Sequence, residues 1–138
     1  MSENTDPTIT EFRENNGKVG GYFAGSKLAL LTTTGAKSGE KRTAPVMSFR
    51  RDDAVYVVAS KAGADSHPAW YLNMLANPSL FVELATDSGI DSFEATAVTV
   101  PEPQRTALYA EIGAENPGFA TYQESTSRVI PIVELRRN

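Results

Sequence analysis

The chain has 138 residues, a formal net charge of −4 and 41% hydrophobic residues, which suits one water-soluble domain and argues against a general nucleic-acid binder. It has no cysteine, which excludes disulfides, thiolate catalysis and cysteine metal sites, and its single histidine, His67, gives an all-protein zinc site no basis. Residues 1–16 are polar and acidic, without a basic-then-apolar leader, and no apolar run is long enough to cross a bilayer; a cytoplasmic protein without stable membrane insertion is expected.

In chain order, residues 1–26 are expected to form a flexible N-terminal arm, with a short helix over 9–14 and glycines at 17, 20, 21 and 25. Residues 27–138 then read as a single domain. The β-favouring run 28–34 predicts a first strand, Gly35 and Gly39 frame a turn, and 43–49 predicts a second strand. Asp52-Asp53 turns the chain into the third and clearest strand, 55–59. Residues 60–65 are small and polar, hence a loop, and Ser66 is expected to cap a helix running through Trp70 and Leu75 to Asn77-Pro78.

Strands follow over 80–84 and 93–100, joined by a turn at Asp87-Ser88-Gly89. Pro101-Glu102-Pro103 opens a helix with Leu108 and Ile112 on its inner face, and Gly113 and Pro117 end it. A short helical turn over 122–127 precedes a last strand over 128–135, which Pro131 places at an edge or a bulge. About six strands joined by short turns, with two or three helices, predict an antiparallel Greek-key barrel of mainly β class.

Two segments carry chemistry. Residues 32–46 read TTTGAKSGEKRTAPV, where bent backbone at Gly35 and Gly39 joins Lys37, Ser38 and Arg42 in a mixture suited to an anion such as phosphate. A solvated hairpin turn has the same local composition, and the residues alone leave both readings open. Residues 59–78 read ASKAGADSHPAWYLNMLANP: small side chains around Gly63 permit a close approach to a flat ligand, with Lys61 beside them and Trp70 able to cover a ring. Trp70 is equally readable as a core anchor, and His67 as an exposed or capping residue.

Together these segments resemble the deazaflavin-dependent nitroreductase family. The matching residues are Thr32-Thr33-Thr34-Gly35, Lys37-Ser38-Gly39, Arg42, Pro45, Ala59-Ser60-Lys61, Gly63, Pro68, Trp70-Tyr71, Asn73 and Ala76-Asn77-Pro78, with a weaker match over 122–131. The resemblance implies a split β-barrel related to FMN-binding, pyridoxamine-phosphate-oxidase-like proteins. It also implies coenzyme F420, an 8-hydroxy-5-deazaflavin with a phosphate and an acidic tail.

On that resemblance Lys37, Ser38, Arg42 and Lys61 hold the phosphate and tail. Pro45, Val46, Val58, Ala59 and Ser60 border the ring, and Gly63, Pro68, Ala69 and Trp70 complete the coenzyme-binding set. Ser60 and Tyr122 match groups of the acceptor pocket and take the catalytic role, donating hydrogen bonds to charge on the acceptor. The activity implied is hydride transfer to a small organic acceptor: a quinone, an activated alkene, or a nitroaromatic or nitroimidazole. No metal, no nucleic acid and at most weak peripheral membrane association are implied, and a homodimer is compatible with the family.

Three positions depart from the nitroreductase branch: Met47, Asn116 and Phe119 stand where it has tyrosines. That substitution of hydroxyl groups leaves a non-catalytic F420-binding or storage protein as an alternative. An FMN- or haem-binding barrel is a further alternative, disfavoured because the cluster of Lys37, Arg42 and Lys61 exceeds the need of one phosphate.

Overall fold

The computed structural model describes residues 7–20 and 27–138. Its elements in chain order are α1 (Pro7–Glu14), β1 (Leu28–Thr34), β2 (Lys41–Arg51), β3 (Ala54–Val58), α2 (Ala69–Ala76), β4 (Ser79–Thr86), β5 (Gly89–Thr99), α3 (Gln104–Glu115), α4 (Pro117–Glu124) and β6 (Ile132–Arg137). The strands close into a barrel in the order β1-β2-β3-β6-β5-β4, every pair antiparallel. Closure leaves β6 hydrogen-bonded to both β3 and β5, so the expected edge position of this strand is corrected. Pro131, which has no N–H to give a ladder, lies just before β6, and its carbonyl accepts from the Ala59 amide at 2.9 Å.

Alternation along the strands separates an inner from an outer layer. Ala29, Leu31, Val55, Val57, Val82 and Val133 fill the interior, joined by Tyr71 and Met74 of α2. The outer face is covered in two places. Ile9 and Phe12, one turn apart on α1, pack on Leu28 and Leu30 of β1. Tyr109 and Ile112 of α3 and Phe119 of α4 pack on Phe49, Val58 and Ile132. Every side chain of β1 from Leu28 to Leu31 is therefore buried, half of them inward and half beneath α1.

The arm expected over 1–26 is corrected where it is described: Ile9 and Phe12 are 1% and 0% exposed, so α1 is part of the packed domain. Residues 1–6 and 21–26 of that expectation lie outside the described residues. The helix after β3 begins at Ala69 and is not capped by Ser66. Pro68 forces His67 toward extended backbone and itself holds the N-cap position at ψ 152°, so no helical turn can include Ser66. Pro117 opens a helix where the sequence suggested an end. It sits in the first turn of α4, where a missing N–H costs nothing, and the turn expected over 122–127 is replaced by this earlier helix.

Candidate functional site

β2 is the longest strand together with β5, and its two halves have different neighbours. From Lys41 to Met47 it pairs with β1, whereas its pairing with β3 begins only at Ser48. The Ser48 N–H points to β1, where it donates to the Lys27 carbonyl at 2.8 Å. Alternation then turns the backbone of Met47 and Pro45 to the opposite, unpaired side. Proline is tolerated in the middle of this eleven-residue strand because its absent N–H falls where the sheet is split.

Beside this split lies a cavity of about 650 Å³. One wall is Pro45, Val46 and Met47 of β2 with Val58 of β3; the loop after β3 adds Ser60 and Lys61; Pro68 and Trp70 come from the start of α2; Glu115 to Phe119 and Tyr122 come from the α3–α4 corner. Eight of the residues given a binding or catalytic role in the sequence thus meet around one space, Pro45, Val46, Val58, Ser60, Lys61, Pro68, Trp70 and Tyr122, together with the three departures Met47, Asn116 and Phe119.

Ser60 is 8% exposed, lines the cavity, and its hydroxyl makes no hydrogen bond with a described residue. A hydroxyl on a buried residue, with its oxygen open to a cavity, fits a polar ligand group. Trp70 is half-buried and meets Tyr71 edge-on, with centroids 6.5 Å apart. Phe119 holds Tyr122 in the same manner at 5.6 Å.

The remaining sequence candidates lie elsewhere. Lys37 and Ser38 are exposed in the β1–β2 turn, where the Ser38 hydroxyl accepts from the Glu40 amide at 3.1 Å. Arg42 is half-buried and pairs with Glu40 at 3.3 Å. Ala59 is fully enclosed in the barrel interior and Ala69 faces outward. Gly63 does not line the cavity but supports it: at φ +82°, a Cβ placed there would stand 3.1 Å from the Tyr122 backbone.

Two residues to which the sequence reading gave no role organise this region. Asn73 is buried on α2, donates to Thr33 Oγ1 at 3.1 Å and accepts from the Ala36 amide at 2.9 Å, tying the basic turn to α2. Arg128 binds the carbonyls of Ala59, Ser60 and Ala64 and reaches His67 Nδ1 at 3.0 Å. A guanidinium only donates, so Nδ1 is the acceptor and His67 is neutral there. Burial first and the Arg128 charge second hold the His67 pKa below its ordinary value. Asn73 stood among the motif residues and Arg128 within the weaker match over 122–131, but a polar residue amid the apolar positions of a helix and a cation ahead of an apolar strand did not reveal what either would bind.

A sequence model of the F420H(2)-dependent quinone reductase family matches residues 7–136. The chain belongs to this family. It is therefore an F420-dependent oxidoreductase, built on the split barrel. The F420H(2)-dependent quinone reductase Rv1261c of Mycobacterium tuberculosis is 36% identical over 130 residues, covering 91% of this chain and 85% of that one. The solved F420-H2 dependent reductase FDR-A superposes with a TM-score of 0.67 at 36% identity over 79% of this chain and 93% of that chain. A structure described as a domain-swapped dimer gives a TM-score of 0.69 at 33% identity, over 92% and 93% of the two chains. Among the described residues no helix is long and apolar enough to cross a membrane.

Proposed function

We propose that this member of the family uses F420H2 to reduce quinones at the cavity beside the split in β2. The observation that carries this reading is the hydroxyl of Ser60, a buried residue whose Oγ is accessible at the cavity and takes no partner among the described residues, in a mostly apolar space that also holds Trp70, Tyr122 and Lys61. The coenzyme supplies a hydride and a proton, which together turn a quinone into its hydroquinone.

The protein supplies position and electrostatics. The unpaired backbone of Pro45 and Met47 offers polar groups to the edge of a flat heterocycle, and Trp70 offers a ring wall. Lys61 stands at the cavity, and Lys37, Ser38 and Arg42 follow along the β1–β2 hairpin; β2 rises roughly 10 Å between Arg42 and Pro45. This extended line of donors suits a ligand with a ring at one end and a multiply charged tail at the other. Ser60 and Tyr122 donate to the acceptor oxygen on which charge develops.

Met47, Asn116 and Phe119 give the acceptor side an apolar wall with one amide. This favours quinones over nitroimidazoles and activated alkenes. The same positions support the second reading, a coenzyme-binding protein without turnover. A cytoplasmic location and a homodimer, for which the domain-swapped relative is the precedent, complete the proposal.

Oxidation of F420H2 followed by absorbance, with menadione, an enone and a nitroimidazole as acceptors, tests it. Turnover greatest with menadione is expected. Tight coenzyme binding with no turnover on any acceptor would establish the second reading.

A further inference from the structure

We propose that Arg128 is a positioning residue for this cavity, holding the Ser60–Lys61 backbone so that its amides and the Ser60 hydroxyl form one donor pocket for an anionic oxygen. The inference rests on the reading of the cavity given above. Arg128 itself does not line the cavity; it lies behind the wall that Ser60 and Lys61 present to it.

Its Nη2 donates to the Ser60 carbonyl at 2.8 Å and its Nη1 to the Ala59 carbonyl at 3.2 Å. A trans peptide sets its N–H opposite its C=O. Two successive carbonyls drawn to one cation therefore turn two successive amides, those of Ser60 and Lys61, away from it. The backbone angles agree independently. Ser60 is right-handed at φ −81°, ψ −35°, and Lys61 is left-handed at φ +46°. That succession makes consecutive N–H groups converge on a concave face that takes negative charge.

Neither amide donates to a described backbone group, and the Ser60 hydroxyl beside them is accessible at the cavity and bonds no described residue. A lysine in the left-handed region is strained, and something must hold it there. Arg128 does so at both ends of the loop: its Nε donates to the Ala64 carbonyl at 2.8 Å and its Nη1 to His67 Nδ1. The Thr126 hydroxyl, two residues before Arg128, bonds Asp65 at 2.8 Å and anchors the same loop. A lysine at 128 could satisfy only part of this fan of acceptors.

The anionic oxygen has two sources, a coenzyme oxygen or the acceptor oxygen as it gains charge. The test uses the full-length protein as wild type, Arg128→Lys and Arg128→Ala. Coenzyme affinity is read from quenching of Trp70 fluorescence by oxidised F420, kcat and KM with menadione, and folding from the melting temperature. Arg128→Lys should stay folded yet lose about ten- to a hundredfold, and millimolar guanidinium, unlike ammonium, should restore part of the Arg128→Ala loss.

Loss confined to coenzyme affinity assigns the pocket to the coenzyme; loss confined to kcat assigns it to the acceptor. In the wild type, the Ser60 and Lys61 amide resonances should shift when the coenzyme, or coenzyme with a hydroquinone, is added. Folded variants within twofold of wild type would overturn the proposal. So would silent amides, even if both variants fail to fold. Failure of the wild type to bind F420 would instead overturn the reading of the cavity.

Discussion

Asn73 Nδ2 donates to the Thr33 hydroxyl at 3.1 Å from a site where Thr33 is 0% and Asn73 8% exposed, while its Oδ1 takes the Ala36 amide. One buried carboxamide thus joins a helix to the hairpin that carries Lys37 and Arg42. Asn73→Ala would strand a buried hydroxyl and an amide, costing about 1–3 kcal/mol of stability. Denaturant melts measure this loss, and a weaker grip on the coenzyme tail should accompany it. Full stability in Asn73→Ala would mean the bond contributes nothing net.

Gly63 and Gly39 both have positive φ, +82° and +73°, but different surroundings. Alanine at 39 meets nothing within 4 Å and should cost only the left-handed backbone penalty, about 1–2 kcal/mol. Alanine at 63 also presses on the Tyr122 backbone and on Ser125. Gly63→Ala is therefore expected to melt lower than Gly39→Ala and to bind coenzyme more weakly, as it displaces α4 from the cavity. Equal behaviour of the two variants in both measurements would refute this.

Glu40 neutralises Arg42 at 3.3 Å on an exposed turn. A polyanionic tail competes with that carboxylate for the guanidinium. Glu40→Gln should raise F420 affinity by about two- to fivefold, the scale of a surface ion pair, and Arg42→Ala and Lys61→Ala should lower it. All three effects should shrink as salt is added. Titration at two ionic strengths decides the matter, and unchanged affinity in Arg42→Ala and Lys61→Ala would remove these residues from the site.

The neutral state of His67 carries a pH signature. Its folded pKa lies below the ordinary 6.5, so between those values the unfolded chain binds more protons than the folded one. Stability then rises with pH across that window and is lost as pH falls below about 6.5. His67→Gln keeps an acceptor for Arg128 and should flatten the part of the melting profile just below pH 6.5. An identical slope in wild type and variant would show that His67 does not titrate with folding.

Tyr109 buries its ring in the α3–α4 packing and donates its hydroxyl to the Phe119 carbonyl at 2.6 Å. Burial pushes its pKa up to about 12, so it stays protonated through the neutral range. Tyr109→Phe should cost about 1 kcal/mol, because a buried carbonyl loses one of its donors while its place in α4 is kept, and the loss should be the same from pH 6 to 9. A loss that varied with pH would contradict the assignment.

Local rules in the sequence determined much of the barrel. A β-favouring run marked β1, the clearest strand signal fell on β3, strands were expected where β4 and β5 lie, and Gly35, Gly39 and Asp87-Ser88-Gly89 marked turns. The family motifs named eight of the residues that line the cavity, because those motifs sit on contiguous strand and loop segments. What only the tertiary structure decided depends on pairing across long separations. Pro45 became intelligible once β2 was seen to part from β3, and Arg128 gained its role only when closure brought it to Ser60, 68 residues away. Asn116 and Phe119 reach the cavity because α3 turns into α4 at Pro117, and α1 joins the core because β1 offers it an apolar outer face. Propensity acts over a few residues, whereas register, closure and burial are set by the whole chain.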